Sequence, residues 1–344
     1  MRKRNIIILL LISILLLWTL IALLPRGQKV SDENPFRRDG DFPHIIAHGG
    51  GNMEFPDNTL EAFYNAYNVD NTIIFETDVV LTKDDVVILS HDRTLDRKTD
   101  RGNQTYAHEI TYETLVEEQW NFGFENPIDR PNGYKISDTL VPYTNYANEL
   151  VTPLDVDYPE GVSPRHETKY LVTTLEDLIT KFPEQRIIVE IKPYGELGIR
   201  TTDAVIALLD KYDETLNTYD RISLASFHRS NFDYFVTLKA TTHPDLFFSP
   251  QTHDATRFYA LFTFKLDLFY TTEVGSFQFP LSQYNLNLAS EALINTAHRH
   301  NIAVHYWTIN DEDDMRMLIN IGADGIVTDR LRLLKSIIDE KKAD

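Results

Sequence analysis

The chain contains no cysteine. That absence excludes disulfide bridges, thiolate nucleophiles and zinc sites built from cysteine ligands. It leaves the compartment open, because exported proteins of lineages that form few disulfides also lack cysteine. Nucleophilic or metal-binding chemistry must then rest on other side chains.

Basic residues are scarce relative to acidic ones. The sequence has 33 Lys and Arg against 52 Asp and Glu, which gives a formal net charge of −19. Such a chain repels the phosphate backbone of a nucleic acid, so we expect no nucleic-acid binding. A phosphate-bearing substrate would need a local cation, which could be a metal ion or a few placed Lys or Arg side chains.

Charge is absent from one segment near the amino terminus. Residues 6–24 carry no charged side chain, and a basic tail at residues 1–5 precedes them. As a helix, this run would span roughly 28 Å, close to the thickness of the hydrocarbon core of a bilayer. The following stretch, IALLPRGQ, lacks a small-residue cleavage site. We predict a transmembrane anchor at residues 6–24, and a cleaved signal peptide is the alternative.

The basic tail also predicts the orientation of that anchor. Three bases at residues 2–4 favour a cytoplasmic amino terminus, although residues 26, 29, 37 and 38 add bases on the other side. We therefore expect a single-pass protein of the cell membrane with an extracellular catalytic domain. Residues 25–42 are polar and contain Pro and Gly, which predicts a stalk.

Beyond residue 42, strand-like runs alternate with helical patterns, which predicts an α/β fold with a parallel sheet. The predicted strands are 44–48, 73–81, 86–90, 186–192, 222–227, 246–249, 266–270, 303–309 and 325–328. The predicted helices are 59–67, 174–182, 202–212, 290–300, 311–321 and 331–340. Asp57 or Asn58 is the expected cap of the first of these. Eight such units would close a barrel, and six or seven are clear.

Two strands place charged side chains on one face. In FETDV, Glu76 and Asp78 point the same way, and in VEIKP so do Glu190 and Lys192. Burying paired carboxylates costs on the order of several kcal/mol unless a cation lies between them. A divalent ion, which prefers oxygen ligands, would supply that positive charge. The alternatives are an exposed edge strand for the first pair and a structural ion pair for the second.

Two histidines follow the ends of predicted strands. His48 opens the glycine turn HGGG, and His91 lies in SHDRT. Either residue alone is more often structural than catalytic. Together, at the ends of two early strands, they predict a general acid and base pair. His298 and His300 lie near the end of a predicted helix and are expected to face solvent.

Several blocks resemble, in order, the glycerophosphodiester phosphodiesterases, a family of barrels of the phosphatidylinositol-phospholipase-C type. The block AHGGGNMEFPDNTLEAF is similar to the family's His-Arg-Gly and Glu-Asn-Thr motifs. IIFETDVVLTKDDVVILSHDRTLDRKTD resembles its Glu-x-Asp strand and His-Asp motif, and VEIK its third acidic strand. VHYWTINDEDDMRMLINIGADGIVTD is similar to its closing blocks. The matches span about residues 44–330.

The resemblance implies a TIM (β/α)8-type barrel over residues 43–340, with an insertion at about 100–172 and one divalent cation, Ca²⁺ or Mg²⁺. It implies hydrolysis of a glycerophosphodiester to glycerol 3-phosphate and an alcohol. The implied residues are His48 and His91 as the acid/base pair; Glu76, Asp78 and Glu190 as metal ligands; and Asn58, Lys192, Trp307 and Gly49 around the substrate.

The chain departs from the family pattern after the first histidine, where Gly49 replaces an arginine. A glycine cannot grip phosphate as a guanidinium does. The amides of Gly49, Gly50 and Gly51, or the side chain of Arg93 or Arg101, are the candidate replacements. The family's Glu before Asn is Asp57 here. Because both histidines and all three acids persist, we expect an active enzyme.

Other functions stay open at the level of sequence. The anchor makes a lysophospholipid or a polyglycerol phosphate an attractive substrate, and loss of the arginine permits a silent protein that only binds phosphodiesters. A barrel acting on sugar phosphates would need a phosphate loop near its last strands, for which GADGIVTD offers few donors. Trp120, Phe122 and Phe124 could form a lid, or could pack the insertion onto the barrel.

Overall fold

The centre of the protein is a barrel, and over residues 2–24, 33–101, 105–125 and 141–343, which the computed structural model describes, eight parallel strands form it. The strands are β1 (His44–Ala47), β2 (Ile74–Leu81), β3 (Ile187–Ile191), β4 (Ile222–Ala225), β5 (Phe247–Phe248), β6 (Ser276–Phe279), β7 (Ala303–Tyr306) and β8 (Gly325–Thr328). Neighbours follow chain order, and β8 returns to β1. Between β5 and β6, the Gly275 amide donates to the Phe248 carbonyl at 2.9 Å. The expected TIM-type barrel is confirmed.

In the described part of the chain, a helix follows each barrel strand. These helices are α1 (Leu60–Val69), α2 (Leu175–Lys181), α3 (Gly195–Leu216), α4 (Arg229–Thr241), α5 (Thr252–Thr263), α6 (Glu291–His298), α7 (Glu312–Ile321) and α8 (Leu331–Ala343). Side-chain oxygens cap several of them. Thr59, rather than the expected Asp57 or Asn58, accepts a hydrogen bond from the Ala62 amide and caps α1.

Shorter elements connect these strands and helices in the described residues. They are helices Tyr112–Glu117 and Thr218–Arg221; strand Val87–Leu89, antiparallel to β2; strand pairs Phe124–Glu125 with Val141–Pro142 and Ser282–Gln283 with Leu286–Asn287; and 3₁₀ turns His48–Gly50, Ala107–Glu109, Pro153–Asp155 and Asp267–Phe269.

Three barrel elements escaped sequence analysis, and one predicted strand is wrong. Residues 266–270 form a 3₁₀ turn instead of a strand. The turn places the Tyr270 ring against Phe258 of α5, with 5.0 Å between the ring centroids. The strand at this point is β6, 276–279, which was not predicted. Helices α4 and α5 were also missed, since their mixture of aromatic and hydroxyl residues hides the helical period.

A small apolar cluster fills the inside of the barrel. It comprises Phe36, Ile46, Ile74, Ile188, Ala225, Phe247, Ala303 and Val327. Phe36 belongs to the segment expected to be a stalk, yet it is fully buried, and the neighbouring Asn34 amide donates to the carbonyls of Gly275 and Asn301 at 2.8 Å. Residues 33–42 therefore pack on the amino-terminal end of the barrel, whereas residues 25–32 of the expected stalk lie outside the described residues.

The insertion after β2 is fastened to the barrel. Trp120 and Phe122 are buried, which supports packing instead of a lid for these two aromatics. Arg165 lies 3.5 Å from Glu61 of α1 and donates to the Thr173 hydroxyl at 3.0 Å, which ties the end of the insertion to the barrel. Residues 102–104 and 126–140 of the expected insertion lie outside the described residues.

The amino-terminal helix, Arg2–Leu23, is separate from the barrel core. Its segment Asn5–Leu23 has a mean hydropathy of 3.2 and is not buried. By length and composition this segment could cross a membrane, and a signal sequence would have the same properties.

Candidate active site

Three carboxylates meet at the carboxyl ends of β2 and β3. The parallel register places Asp78 beside Glu190, and Glu76 lies two residues earlier on the same face. One oxygen from each residue lies within 4.8 Å of the others. Every residue of β2 is buried, so the alternative of an exposed edge strand is wrong.

The electrostatics of this cluster show an excess of negative charge. Burial and the Asp78 carboxylate raise the pKa of Glu76 to about 8, and burial also raises the pKa of Glu190. The pKa of Asp78 is lowered in spite of its burial, because Lys192 lies beside it. Lys192 Nζ is 3.0 Å from Asp78 Oδ1 and 3.1 Å from Glu190 Oε1. The three carboxylates form a donor set of hard oxygens that suits a divalent cation.

His48 lies just beyond β1 and is oriented by a residue far away in sequence. Its Nδ1 is 2.7 Å from Oδ1 of Asp329, which follows β8. The Asp329 carboxylate is held in turn by the Asn310 side chain, whose Nδ2 donates to Oδ2 at 2.7 Å. Burial opposes protonation of His48, but Asp329 prevails and raises its pKa to about 10. Since Nδ1 faces Asp329, Nε2 is the nitrogen left for the cavity.

His91 has a matching arrangement on the other side. Its Nδ1 is 2.7 Å from Oδ1 of Asp92, and this hydrogen bond raises the pKa of His91. Arg97 donates to the second oxygen of Asp92 at 2.7 Å. Both histidines therefore carry a carboxylate on Nδ1, which fixes the orientation of each ring.

A buried network joins His91 to the carboxylates. Arg97 lies 3.5 Å from Asp57, which also pairs with the buried Lys98. Burial opposes ionisation of Asp57, but Lys98 and Arg97 lower its pKa, so it is a carboxylate. Asn58, next in the chain, donates from Nδ2 to Asp57 at 3.1 Å and to Asp78 at 3.0 Å.

Two residues expected around the substrate lie behind the carboxylates. Asn58 is 3% exposed, and its Oδ1 accepts from the Asp78 amide at 3.0 Å, so both ends of the side-chain amide are engaged. The Gly49 amide donates to Glu76 Oε2 at 3.0 Å and is therefore not free for an oxyanion. Both residues hold carboxylates in place from behind.

The remaining candidate residues line a cavity of about 270 Å³. Its lining includes His48, Glu76, Asp78, His91, Glu190, Lys192 and Trp307, with Phe227 and Gln278 among the others. Seven of the nine residues singled out from the sequence thus line one cavity, and Asn58 and Gly49 support it.

The proposed replacements for the missing arginine lie elsewhere. Arg101 pairs with Glu118 and stacks on the Trp120 ring, with 5.6 Å between its Cζ and the ring centroid. The Arg93 guanidinium lies 4.6 Å above the Tyr194 ring. The cavity lining in the described part of the chain includes neither arginine, and Lys192 is the Lys or Arg side chain that it does include.

Sequence reasoning missed the residues that orient the candidates. Asp329, Asn310 and Arg97 carry no local pattern that marks them as partners of a histidine, whereas Asp92 directly follows His91 in the His-Asp motif. One signal was present, because Asp329 directly follows a strand, as His48 and His91 follow theirs. His298 and His300 were expected at the surface, which is wrong: His300 is 1% exposed, and His298 Nε2 is 2.7 Å from Asp324 Oδ2.

The sequence is similar to that of known phosphodiesterases. A sequence profile of the glycerophosphoryl diester phosphodiesterase family matches residues 48–333. The human lysophospholipase D GDPD3 is 24% identical over 317 residues, covering 85% of this chain and 84% of the human protein. A probable glycerophosphodiester phosphodiesterase of Mycobacterium tuberculosis is 23% identical over 310 residues, covering 88% and 93%.

Solved structures share the fold. A putative glycerophosphoryl diester phosphodiesterase of Silicibacter pomeroyi gives a TM-score of 0.61 at 19% identity, covering 89% of this chain and 96% of that one. An Oleispira antarctica phosphodiesterase, solved with the product sn-glycerol-3-phosphate, gives 0.57 at 18% identity, covering 87% and 97%. With the profile match over most of the chain, the conclusion is that this protein belongs to the glycerophosphoryl diester phosphodiesterase family and is a phosphoric diester hydrolase.

Proposed function

We propose that this protein hydrolyses glycerophosphodiesters to glycerol 3-phosphate and an alcohol, with His48 and His91 as its acid and base. The observation that carries the proposal is the matched pair of histidines lining the cavity of the three carboxylates, each with an aspartate on Nδ1. This arrangement leaves two Nε2 atoms for proton transfer. Hydrolysis of a diester needs both a base that takes a proton from the attacking oxygen and an acid that gives one to the leaving oxygen.

The chain's own residues have distinct parts in this reaction. One histidine takes the proton of a glycerol hydroxyl as its oxygen attacks phosphorus, and the other gives a proton to the departing alcohol oxygen. Water then opens the resulting cyclic phosphate with the two proton transfers reversed. Lys192 lies at the carboxylates and would face the negative phosphoryl oxygens.

Glu76, Asp78 and Glu190 would hold one divalent cation, Ca²⁺ or Mg²⁺. The proposal is supported by the three carboxylate oxygens, which lie within 4.8 Å of one another, and by the raised pKa of Glu76 beside Asp78. When bound, the ion would stabilise charge on the phosphoryl oxygens. Asn58 and Gly49 would keep Asp78 and Glu76 in position to receive it.

Metal removal tests the proposal on the full chain in detergent, since truncation at residue 43 would delete the buried Phe36. Glycerophosphocholine and glycerophosphoglycerol are incubated with protein treated with EDTA, and glycerol 3-phosphate is measured. We expect no turnover until Ca²⁺ or Mg²⁺ is restored, and none from Glu190→Gln with either ion. Turnover that EDTA leaves unchanged would contradict the metal role. Binding without turnover in the presence of metal would indicate a silent homologue.

A second substrate class has its own support. Several relatives are named lysophospholipase D, including the human protein described above. An apolar cavity adjoins the candidate site and shares Phe227, Gln278 and Trp307 with it. We propose that monoacyl glycerophosphodiesters are also substrates, whereas nothing in the described residues favours a polyglycerol phosphate.

We further propose that the amino-terminal helix anchors the protein in the cell membrane with the barrel outside. The apolar segment Asn5–Leu23 and the basic residues before it support this topology. Protease treatment of intact cells should digest the barrel while the membrane holds the helix. Full protection of the barrel would contradict the orientation, and a barrel found in the medium would indicate cleavage.

A further inference from the structure

A second cavity of about 250 Å³ adjoins the catalytic cavity. Phe227, Gln278 and Trp307 line both, so they form a shared wall. We call the second cavity the apolar chamber. Phe279, at the end of β6, and Leu288 are its buried residues, and Ala255 and Tyr259 of α5 also line it.

The chamber and the catalytic cavity differ in chemistry. Among the described residues, the chamber lining contains no Asp, Glu, Lys, Arg or His, whereas the catalytic cavity has six such residues. A charged or strongly hydrated group would lose its water in the chamber without gaining a charged partner. An aliphatic chain would lose only unfavourable contact with water, at about 0.8 kcal/mol for each buried methylene.

Apolar side chains continue from the chamber toward solvent. Phe227, Tyr284 and Leu286 line the chamber, yet they are 53%, 83% and 44% exposed. Tyr284 and Asn285 both have positive φ and form the tip of the hairpin Ser282–Gln283/Leu286–Asn287. Three large apolar side chains left in water around one cavity favour an apolar ligand that covers them.

We propose that the apolar chamber binds the acyl chain of a lysophospholipid whose phosphodiester lies in the catalytic cavity. The proposal rests on the proposed diesterase function and deepens it. Because three residues line both cavities, the two lie side by side, as the charged end and the aliphatic chain of one lysophospholipid would require. At about 250 Å³ the chamber is smaller than most ligand pockets, so it takes part of a long chain, and the rest lies along the exposed Tyr284 and Leu286.

Chain length is therefore a determinant of specificity. For lysophosphatidylcholines of increasing acyl length, below their critical micelle concentrations, kcat/KM should rise steeply while methylenes enter the chamber. It should then level off once the chamber is full. Glycerophosphocholine, which has no chain, gives the baseline activity of the catalytic cavity alone.

Filling the chamber tests the assignment. Ala255→Phe places a ring in the lining, and Ala260→Phe places the same ring on the exposed side of α5 as the matched control. We expect Ala255→Phe to raise KM for medium- and long-chain lysophosphatidylcholines by roughly 10- to 100-fold, with kcat and glycerophosphocholine turnover within about twofold of wild type. Leu286→Asp, paired with Asn287→Asp, tests the rim without disturbing buried residues.

The outcomes separate this proposal from the one it rests on. If wild type fails to hydrolyse glycerophosphocholine and every lysophosphatidylcholine, the diesterase function itself is wrong. If glycerophosphocholine is hydrolysed but chain length has no effect, or Ala255→Phe slows all substrates equally, the chamber assignment is wrong. A glycerophosphodiester with an aliphatic leaving alcohol supplies the last comparison. If Ala255→Phe raises KM for that compound but for no lysophospholipid, the chamber binds the chain of the leaving alcohol. The lysophospholipid assignment then fails.

Discussion

Two histidines at opposite ends of β1 have opposite electrostatic environments. His44 begins the strand, and burial together with Arg186 lowers its pKa to about 4. His48 follows the strand, and Asp329 overcomes the effect of burial and raises its pKa to about 10. Three residues, Ile45, Ile46 and Ala47, therefore separate a histidine with a lowered pKa from one with a raised pKa. The difference shows that charged residues flanking other strands, Arg186 before β3 and Asp329 after β8, set the pKa of each histidine.

The surroundings of the two histidines follow the general division of a TIM barrel. At the amino-terminal end, Phe36 is buried inside the barrel, and its carbonyl is 2.9 Å from His305 Nε2. At the carboxyl-terminal end, carboxylates and Lys192 converge on a cavity. Substitutions at the first end should change stability, and substitutions at the second should change catalysis. Each prediction below tests that separation.

The largest effect is expected from removing a proton-transferring group at the carboxyl-terminal end. His91→Ala should lower kcat by about 10²- to 10⁴-fold, the usual contribution of a positioned acid or base. His91 is exposed, so the midpoint of thermal unfolding should stay near that of wild type. The exposed His108 provides the matched control, His108→Ala. Activity retained in His91→Ala would remove this residue from the mechanism.

The converse substitution at the other end should leave catalysis intact. Phe36→Ala removes a fully buried ring from the inside of the barrel, which typically costs about 3–5 kcal/mol of unfolding free energy. Denaturant unfolding measures the loss, and kcat per folded molecule should not change. A proportionate fall in kcat would show that the two ends are coupled, and the comparison would then fail.

A smaller catalytic effect is expected when a histidine is kept but loses its orientation. Asp329→Asn removes the charge that holds His48 Nδ1, and we expect kcat to fall about 10²- to 10³-fold with KM little changed. Because Asp329 raises the pKa of His48, its replacement should lower that pKa and shift the pH dependence of activity to lower pH. An unchanged pH profile would contradict the orienting role.

These predictions rest on residues that differ in how visible they are in the sequence. Glu76 with Asp78, and Glu190 with Lys192, could be predicted, because alternate residues of a strand share a face. The histidines could be predicted as candidates because they follow strand ends. Asp329 could not be assigned to His48, since 281 positions separate them and only closure of the barrel by β8 brings them together.

The fold shows the same limit. Strands rich in apolar and β-branched residues, such as β2 and β3, were predicted to within a residue or two of the structure. Strand β6 was missed, because Ser276 and Gln278 interrupt its apolar pattern while pointing toward polar partners inside the barrel. The expected stalk was partly wrong for a similar reason. A single Phe36 among polar residues carries no periodic signal, yet it fills the end of the barrel.

Restoring the family's arginine should harm the protein instead of improving it. Gly49 has φ +54°, and a Cβ there would lie 2.8 Å from the Asp57 Cβ. We expect Gly49→Arg to lower the unfolding free energy by about 1–3 kcal/mol and to give no gain in kcat/KM. Gly40→Arg is the matched control, since a Cβ at Gly40 meets nothing within 4 Å. Higher activity in Gly49→Arg would show that the turn adapts and that the missing guanidinium limits this enzyme.

The most gradual effect, spread over more than two pH units, concerns the pH dependence of stability at the amino-terminal end. The pKa of His44 is about 4 in the folded protein, against 6.5 for the ordinary side chain, so the folded state binds fewer protons between these values. The stabilising contribution of neutral His44 is therefore complete above pH 6.5 and is lost as the pH falls toward 4. The maximum loss is about 3 kcal/mol, at 1.4 kcal/mol per pKa unit. His44→Gln cannot protonate, so the stability difference between wild type and variant should shrink on acidification, as measured by denaturant unfolding at each pH. His108→Gln, an exposed control, should run parallel to wild type. If the stability of His44→Gln changes with pH as that of wild type does, the pKa of His44 is not lowered by folding. The contrast between the two ends of β1 then does not hold.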